Sequence, residues 1–115
     1  MAESGGAVLV DSDLVIDHIR GAQPLPQIPL ACSAITRCEL FAGRDSPAFL
    51  RKLLEPMQEL AVDSSIAELA GELKRTAGLR TPDALIAASA LTYDLPLMTR
   101  NRRHFERVSG LELVG

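Results

Sequence analysis

Short apolar runs alternate along this chain with longer segments whose apolar residues recur every three or four positions. The first run, residues 7–10, contains only Ala, Val and Leu, which is typical of a central parallel strand covered on both faces. Further strands are predicted at residues 30–34, 60–62, 95–99 and 111–114. Because strands that alternate with helices favour parallel pairing, the pattern predicts an α/β fold with a central parallel sheet of four to five strands.

Capping residues, glycines and prolines delimit the helices between these strands. A first helix should begin at Asp11 or Ser12 and end before Gly21. Pro56 should kink or end the helix that contains it, and Thr81 should cap the last helix. The helices after the first are predicted at residues 35–43, 47–60, 64–78 and 81–94.

Composition narrows the class of protein. The chain has 115 residues, of which 47% are hydrophobic and 23% are charged, so we expect a single domain over residues 1–115, with residues 1–6 flexible. A formal net charge of −3 argues against a protein that coats nucleic acid through overall positive charge. A local basic patch is still predicted where four arginines cluster, at Arg100, Arg102, Arg103 and Arg107.

Neither an export signal nor a membrane-spanning segment is visible. The first residues, MAESGG, lack a basic region followed by an apolar stretch, and no apolar run approaches the length of a membrane span. Cys32 and Cys38 match neither a zinc-ligand spacing nor the cysteine density of a secreted disulfide scaffold. The sequence therefore predicts a soluble, cytoplasmic protein.

Three acidic residues interrupt otherwise apolar segments: Asp11, Glu39 and Asp83. Each has a structural explanation, because Asp11 is placed to cap a helix, Glu39 matches a capping box with Thr36, and Asp83 falls in the first turn of a helix. Taken singly, Glu39 and Asp83 favour the structural explanation. For Asp11 the structural and functional explanations are about equal.

Taken together, the acids indicate a shared site. Open parallel sheets place their ligand crevice outside the carboxyl ends of the strands, which is where Asp11 must lie. Two carboxylates about 4 Å apart repel by roughly 4 kcal/mol at an effective dielectric constant of about 20, so a tight cluster binds either protons or a cation. Mg²⁺ and Mn²⁺ take oxygen ligands, and such a site would suit phosphodiester hydrolysis.

Four segments, in this order along the chain, carry a resemblance to a known family: VLVDSDLVIDHIRG, ITRCELFAG, TPDALIAASAL and LMTRNRRHF. They resemble the motifs of PIN-domain ribonucleases, in particular the VapC-like toxins of bacterial and archaeal toxin–antitoxin pairs. The resemblance runs from about residue 7 to the C-terminus. It implies a three-layer α/β/α sandwich, an Mg²⁺-dependent endoribonuclease activity that Mn²⁺ can also support, a homodimer, and inhibition by a cognate antitoxin.

The resemblance also implies roles for particular residues. Asp11, Glu39 and Asp83 match the family's metal-binding acids. Ser12 and Thr99 match hydroxyl residues of the same motifs and are expected to contact substrate. Where PIN domains often carry a fourth acid, this chain has Asn101, which is expected to orient water or phosphate but supplies no charge.

Two alternatives to the nuclease stay open at this point. Asn101, in place of an acid, fits a non-catalytic PIN-like module that binds RNA or a partner protein, and metal-dependent RNA cleavage would separate the two. Asp11 and Asp13 also match the D-x-D of aspartate-nucleophile phosphatases, although the chain hardly offers the lysine and the further domain material that this chemistry needs. Trapping of a phosphoaspartate would test it.

The remaining charged residues have simpler interpretations. Arg100, Arg102 and Arg103 follow the fourth strand, so they are predicted to contact RNA phosphates at the edge of the crevice, with a solvated turn as the alternative. Asp13 could add a carboxylate outside the ligand set, but the residues do not favour this. Four further residues are interpreted as surface, packing or solvated positions: His18, His104, Asp17 and Asp94.

Overall fold

Strands pair exclusively in parallel in the computed structural model, which describes residues 6–115. The described strands are β1 (Val8–Val10), β2 (Leu30–Ser33), β3 (Gln58–Leu60), β4 (Leu97–Met98) and β5 (Leu113–Val114). Their order across the sheet is β3-β2-β1-β4-β5. This confirms the predicted α/β fold with its central parallel sheet. The expectation of a flexible segment at residues 1–6 falls, apart from Gly6, outside the described residues.

Helices occupy the connections between the strands. They are α1 (Ser12–Ile19), α2 (Ala34–Phe41), α3 (Pro47–Leu54), α4 (Ser64–Ala77), α5 (Thr81–Tyr93) and α6 (Arg102–Phe105). Asp63 caps α4 by accepting a hydrogen bond from the backbone N–H of Ile66 at 2.9 Å. Gly78 ends that helix with a φ of 69°, a left-handed conformation that glycine adopts without steric cost.

Several predicted boundaries shift. The third helix ends at Leu54, before Pro56, so the chain is already extended at Gln58, and β3 lies two residues earlier than the predicted strand at 60–62. The prediction that Thr81 caps α5 is wrong, because Thr81 is the first helical residue and Arg80 stands at the cap. The short helix α6 was not predicted, so the arginines after β4 lie partly on a helix.

Two apolar clusters show that the sheet is covered on both faces. Leu9 of β1 packs in one cluster with residues of α4, α5 and α6, whereas the next residue, Val10, packs in the other with residues of α1, α2 and α3. Successive residues of a strand point to opposite faces of a sheet, so these clusters are the two interfaces of a three-layer α/β/α sandwich. The implied architecture is therefore confirmed.

The strand order locates a crevice at one edge of the sheet. From β1 the chain adds β2 and β3 on one side and then β4 and β5 on the other. The order therefore reverses between β1 and β4, and in open parallel sheets ligands bind outside the carboxyl ends of the strands at this point. Asp11 follows β1 there, and its backbone N–H donates to the carbonyl of Met98 in β4 at 3.0 Å.

Among the described residues, no helix combines the length and the apolar character needed to cross a membrane.

Candidate active site

Asp11 directly follows β1, at the point where the strand order reverses. Its backbone has the extended conformation of a helix cap, but its side chain makes no capping hydrogen bond to α1. Instead, Asp11 Oδ2 accepts a hydrogen bond of 2.8 Å from Thr99 Oγ1, which follows β4. Asp11 is only 4% exposed. Helix capping therefore does not explain this carboxylate, which instead links the residues that follow β1 and β4.

Burial controls the charge of this carboxylate. Removal from water raises the pKa of Asp11 from 3.8 to about 6, and the hydrogen bond from Thr99 offsets part of that rise. The nearby negative charges of Asp13 and Asp83 raise the pKa further. The charges of Asp13 and Asp83 are thus near enough to act on Asp11, and a cation bound at Asp11 would offset their repulsion.

Asn101 and Asp13 join the two sides of the crevice. Asn101 Nδ2 donates to Asp13 Oδ2, and the backbone N–H of Asn101 donates to Thr99 Oγ1 at 3.0 Å. Asn101 lies after β4 and Asp13 lies in the first turn of α1. Asp13 is therefore a closer neighbour of the crevice than the sequence suggested. An acid at position 101 would face this carboxylate, whereas the amide can donate to it.

Glu39 is connected to the same edge through hydroxyl groups. Ser12 Oγ donates to Glu39 Oε1 at 2.6 Å. Since that bond uses the only hydroxyl proton of Ser12, its oxygen accepts from Thr36 Oγ1, which is 2.8 Å away. The predicted capping box is wrong: Ser33 caps α2 by accepting from Ile35 N, and Thr36 lies inside the helix. Capping therefore does not explain Glu39.

Asp83 lies in the first turn of α5, where the helix dipole favours an anion. Its Oδ2 is 3.4 Å from His104 Nδ1 on α6. His104 is about half exposed, as expected for a surface residue, but it also contacts one of the predicted catalytic acids. The first turn of α5 and the short helix α6 thus meet beside the carboxylates.

The arginines after β4 separate into different environments. Arg100 Nη1 forms an ion pair of 2.9 Å with Asp17 Oδ2. The interpretation of Asp17 as a solvated residue is wrong, because the Asp17 side chain on α1 is largely buried and pairs with the guanidinium of Arg100. Arg102 is exposed, and Arg103 lines a cavity together with Arg80 and Arg107.

Comparison with known proteins agrees with this arrangement. The family model described as the PIN domain matches residues 8–111, nearly the whole chain. The chain belongs to the PIN-domain family.

The relatives of this PIN domain include a protein named as a ribonuclease and chains from toxin–antitoxin complexes. The chain is 33% identical over 121 aligned residues to ribonuclease VapC19 of Mycobacterium tuberculosis, covering 90% of this chain and 96% of that protein. A toxin–antitoxin complex from Klebsiella pneumoniae contains a chain with 28% identity and a TM-score of 0.76, covering 90% of this chain and 94% of that one. The DNA-bound VapBC of Salmonella typhimurium gives 25% identity and a TM-score of 0.72, with coverage of 94% and 96%.

The acids that the structure describes in this PIN domain do not by themselves form a complete set of metal ligands. Within residues 6–115, no three His, Cys, Asp or Glu side chains lie close enough together to hold a metal ion. Mg²⁺ commonly binds through one or two carboxylates and completes its octahedron with water and substrate phosphate. The oxygen donors around Asp11 therefore fit this hard cation without a third direct protein ligand.

Sequence reasoning underrated or missed three residues of this PIN domain. Asp13 was given little weight and Asp17 was placed in solvent, although both are hydrogen-bonded or paired across the crevice edge. Arg80 was not considered, because it lies 20 residues before the arginine cluster and only the fold brings it to Arg103. Local sequence carries no signal for that proximity.

Proposed function

We propose that this PIN domain is a metal-dependent endoribonuclease that acts as the toxin of a toxin–antitoxin pair, with Mg²⁺ as its metal. One observation carries the proposal: Asp11 is a buried carboxylate beside Asp13 and Asp83 at the switch point of a parallel sheet. Within residues 6–115 no Lys or Arg forms an ion pair with any of the three. The family and the relative named as a ribonuclease support the same activity.

The donor chemistry supports a hard divalent cation as the group that these acids would hold. We assign Asp11, Asp83 and Glu39 as metal ligands, acting directly or through water, because all three offer oxygen donors suited to Mg²⁺ or Mn²⁺. When bound, such an ion lowers the pKa of an attacking water and stabilises the charge that develops on the phosphodiester.

The other polar residues of the site orient the acids and the substrate. Thr99 fixes the direction of the Asp11 carboxylate through its 2.8 Å hydrogen bond, and Ser12 does the same for Glu39. That Ser12 and Thr99 also contact substrate stays a prediction. Asn101 keeps Asp13 in place, and with it the loop after β4. Arg100, Arg102 and Arg103 stay proposed contacts for RNA phosphates; Arg100 also pairs with Asp17 through Nη1, and its other donors remain exposed to solvent.

Partners and location complete the proposal. The structural relatives are a toxin–antitoxin complex and a DNA-bound VapBC, so we propose that a cognate antitoxin binds this chain. We further propose that the chain forms a homodimer, works in the cytoplasm and folds as one domain over residues 1–115.

Cleavage of RNA should depend on a divalent cation. Purified, antitoxin-free protein incubated with a mixed pool of structured RNAs is expected to cut in Mg²⁺ and in Mn²⁺, and to lose all cutting in EDTA, because the acids cannot activate water without a cation. Gel analysis of the pool measures this directly. Equal cutting in EDTA would contradict the proposed chemistry, and no cutting by well-folded protein in either metal would favour the non-catalytic module.

Substitution of Asn101 tests whether position 101 lies close enough to the proposed metal to affect its binding. In Asn101→Asp, two carboxylates replace the amide-to-carboxylate hydrogen bond with Asp13. We expect the unfolding temperature in EDTA to fall by several degrees, since like charges at contact distance cost about 1–2 kcal/mol at a partly exposed site. Saturating Mg²⁺ should then raise the unfolding temperature more than in the wild-type chain. Thermal scans with and without Mg²⁺ measure both effects.

A neutral substitution separates charge from lost hydrogen bonding. Asn101→Ala removes the same bond to Asp13 without adding a carboxylate, so its unfolding temperature in EDTA should also fall, but Mg²⁺ should add no more than in the wild-type chain. If Asn101→Asp gained no more from Mg²⁺ than Asn101→Ala, position 101 would lie outside the reach of the metal.

A further inference from the structure

A cavity of about 270 Å³ lies on the α5–α6 side of the acid site. It forms where the turn between α4 and α5 meets α6 and the residues that follow that helix. The polar residues and the glycine that line it are Gly78, Arg80, Asp83, Arg103, His104 and Arg107. Two separate segments of the chain, residues 77–83 and 103–107, therefore contribute to its wall.

The charge of this cavity is unusual for an acidic chain. Three of its lining side chains are arginines, and within residues 6–115 none of the three forms an ion pair with a carboxylate. Arg37 and Arg100, by contrast, are each paired with an acid elsewhere in the fold. Unpaired guanidinium groups that converge on a concave surface suit an anion, and their planar donors match the oxygens of phosphate.

The cavity adjoins the proposed catalytic acids through Asp83. Asp83 belongs to both places, because it lines the cavity and its charge also raises the pKa of Asp11. His104 Nδ1 lies 3.4 Å from Asp83 Oδ2, and its side chain lines the same cavity as the arginines. An anion in the cavity would therefore lie next to the phosphate that the acids act on, as the neighbouring linkage of one RNA strand does.

We propose that this cavity binds an RNA backbone phosphate adjacent to the scissile one, held by Arg80, Arg103 and Arg107. The proposal rests on the ribonuclease function proposed above. It differs from the basic patch expected from sequence, because Arg80 lines the cavity and Arg100 does not. The arginines position the strand and take no part in bond cleavage, so their loss should weaken the binding of RNA.

Binding of a short, end-labelled, single-stranded RNA tests the contact without cleavage. Anisotropy titrations would use the full chain carrying Asp11→Asn, in EDTA, over a range of salt concentrations. Adding Arg80→Gln or Arg107→Gln should weaken binding roughly 5-fold and lower the slope of log affinity against log salt by about 0.7, the value for one phosphate contact on a single strand. Lys52→Gln is the matched control, since it removes one exposed positive charge on α3 and should change neither quantity.

A series of oligonucleotides, each with one neutral methylphosphonate linkage, identifies the phosphate. At one position, the methylphosphonate should weaken binding to the Asp11→Asn chain. The same methylphosphonate should have no further effect on the chain that also carries Arg107→Gln. Inorganic phosphate or a mononucleotide that displaced the RNA completely at micromolar concentration would overturn the proposal in favour of a free-anion site.

The proposal and the proposed function fail in different ways. If the wild-type chain cuts RNA in Mg²⁺ but Arg80→Gln and Arg107→Gln bind RNA as tightly as their parent, the cavity proposal is wrong and the nuclease stands. If no oligonucleotide position couples to Arg107, the proposal is also wrong. If the wild-type chain neither cuts nor binds RNA, the proposed function itself fails, and the cavity proposal with it.

Discussion

Asp11→Asn is expected to abolish RNA cleavage and, at the same time, to raise the unfolding temperature of the metal-free protein. Cleavage should fall at least roughly 100-fold, because an amide binds a divalent cation far less well than a carboxylate. Stability should rise because the wild-type carboxylate is 4% exposed and lies beside Asp13 and Asp83. The amide keeps an oxygen that can accept the hydrogen bond from Thr99.

The size and pH dependence of the stability gain follow from the pKa of Asp11, which burial raises from 3.8 to about 6. Below pH 3.8 the carboxyl is protonated in both the folded and the unfolded chain, so it costs the fold nothing. Above pH 6 it is ionised in both, and the folded state bears the full cost of about 2–3 kcal/mol. The gain from Asp11→Asn should therefore be absent near pH 4, grow between pH 4 and 6, and reach roughly 5–10 °C at pH 7.

Asp94→Asn is the matched control. Asp94 is exposed and ends α5 at a φ of 54°, a left-handed conformation that asparagine also adopts. The same change of carboxylate to amide there should alter neither cleavage nor pH-dependent stability. Thermal scans in EDTA at several pH values, with RNA cleavage measured in Mg²⁺, cover both variants. Wild-type cleavage by Asp11→Asn would remove Asp11 from the site, and a lower unfolding temperature at pH 7 would contradict the electrostatic account.

Phe105→Ala is expected to cause the largest loss of stability among these variants. Phe105 is 1% exposed and is the buried residue of α6, where it packs against the cluster formed with α4 and α5. Removing a buried phenyl ring costs about 3–5 kcal/mol through lost transfer free energy and the cavity left behind. For a chain of this size the unfolding temperature should fall by roughly 10–20 °C. Urea denaturation followed by circular dichroism measures the free energy directly.

Phe49→Ala makes the identical substitution on the surface. Phe49 is 47% exposed on α3, so the loss should stay below about 1 kcal/mol. Because α6 also carries Arg103 and His104, the Phe105 variant should bind RNA more weakly even at temperatures where it remains folded. Equal losses of stability for the two variants would mean that α6 does not depend on Phe105 for its packing.

Much of the architecture could be read from local patterns. The apolar run at 7–10 and the helix predicted at residues 64–78 are set by burial periodicity and by backbone chemistry, which act within a few residues. The same local chemistry places Asp63 and Gly78 at the two ends of α4. Boundaries were missed where two local preferences competed, as at Pro56, where an early helix end moved β3 towards the N-terminus.

For the candidate site, the sequence predicted the acidic residues but not their contacts. By itself the sequence determined that Asp11 follows a central strand, and that Glu39 and Asp83 interrupt apolar helices in motifs resembling one family. Only the tertiary structure decided their partners: Thr99 for Asp11, Ser12 for Glu39, and the Arg80–Arg103–Arg107 cavity beside Asp83. Those contacts join residues far apart in the chain. They depend on strand order and on how α5 and α6 pack, which a pattern spanning a few residues does not encode.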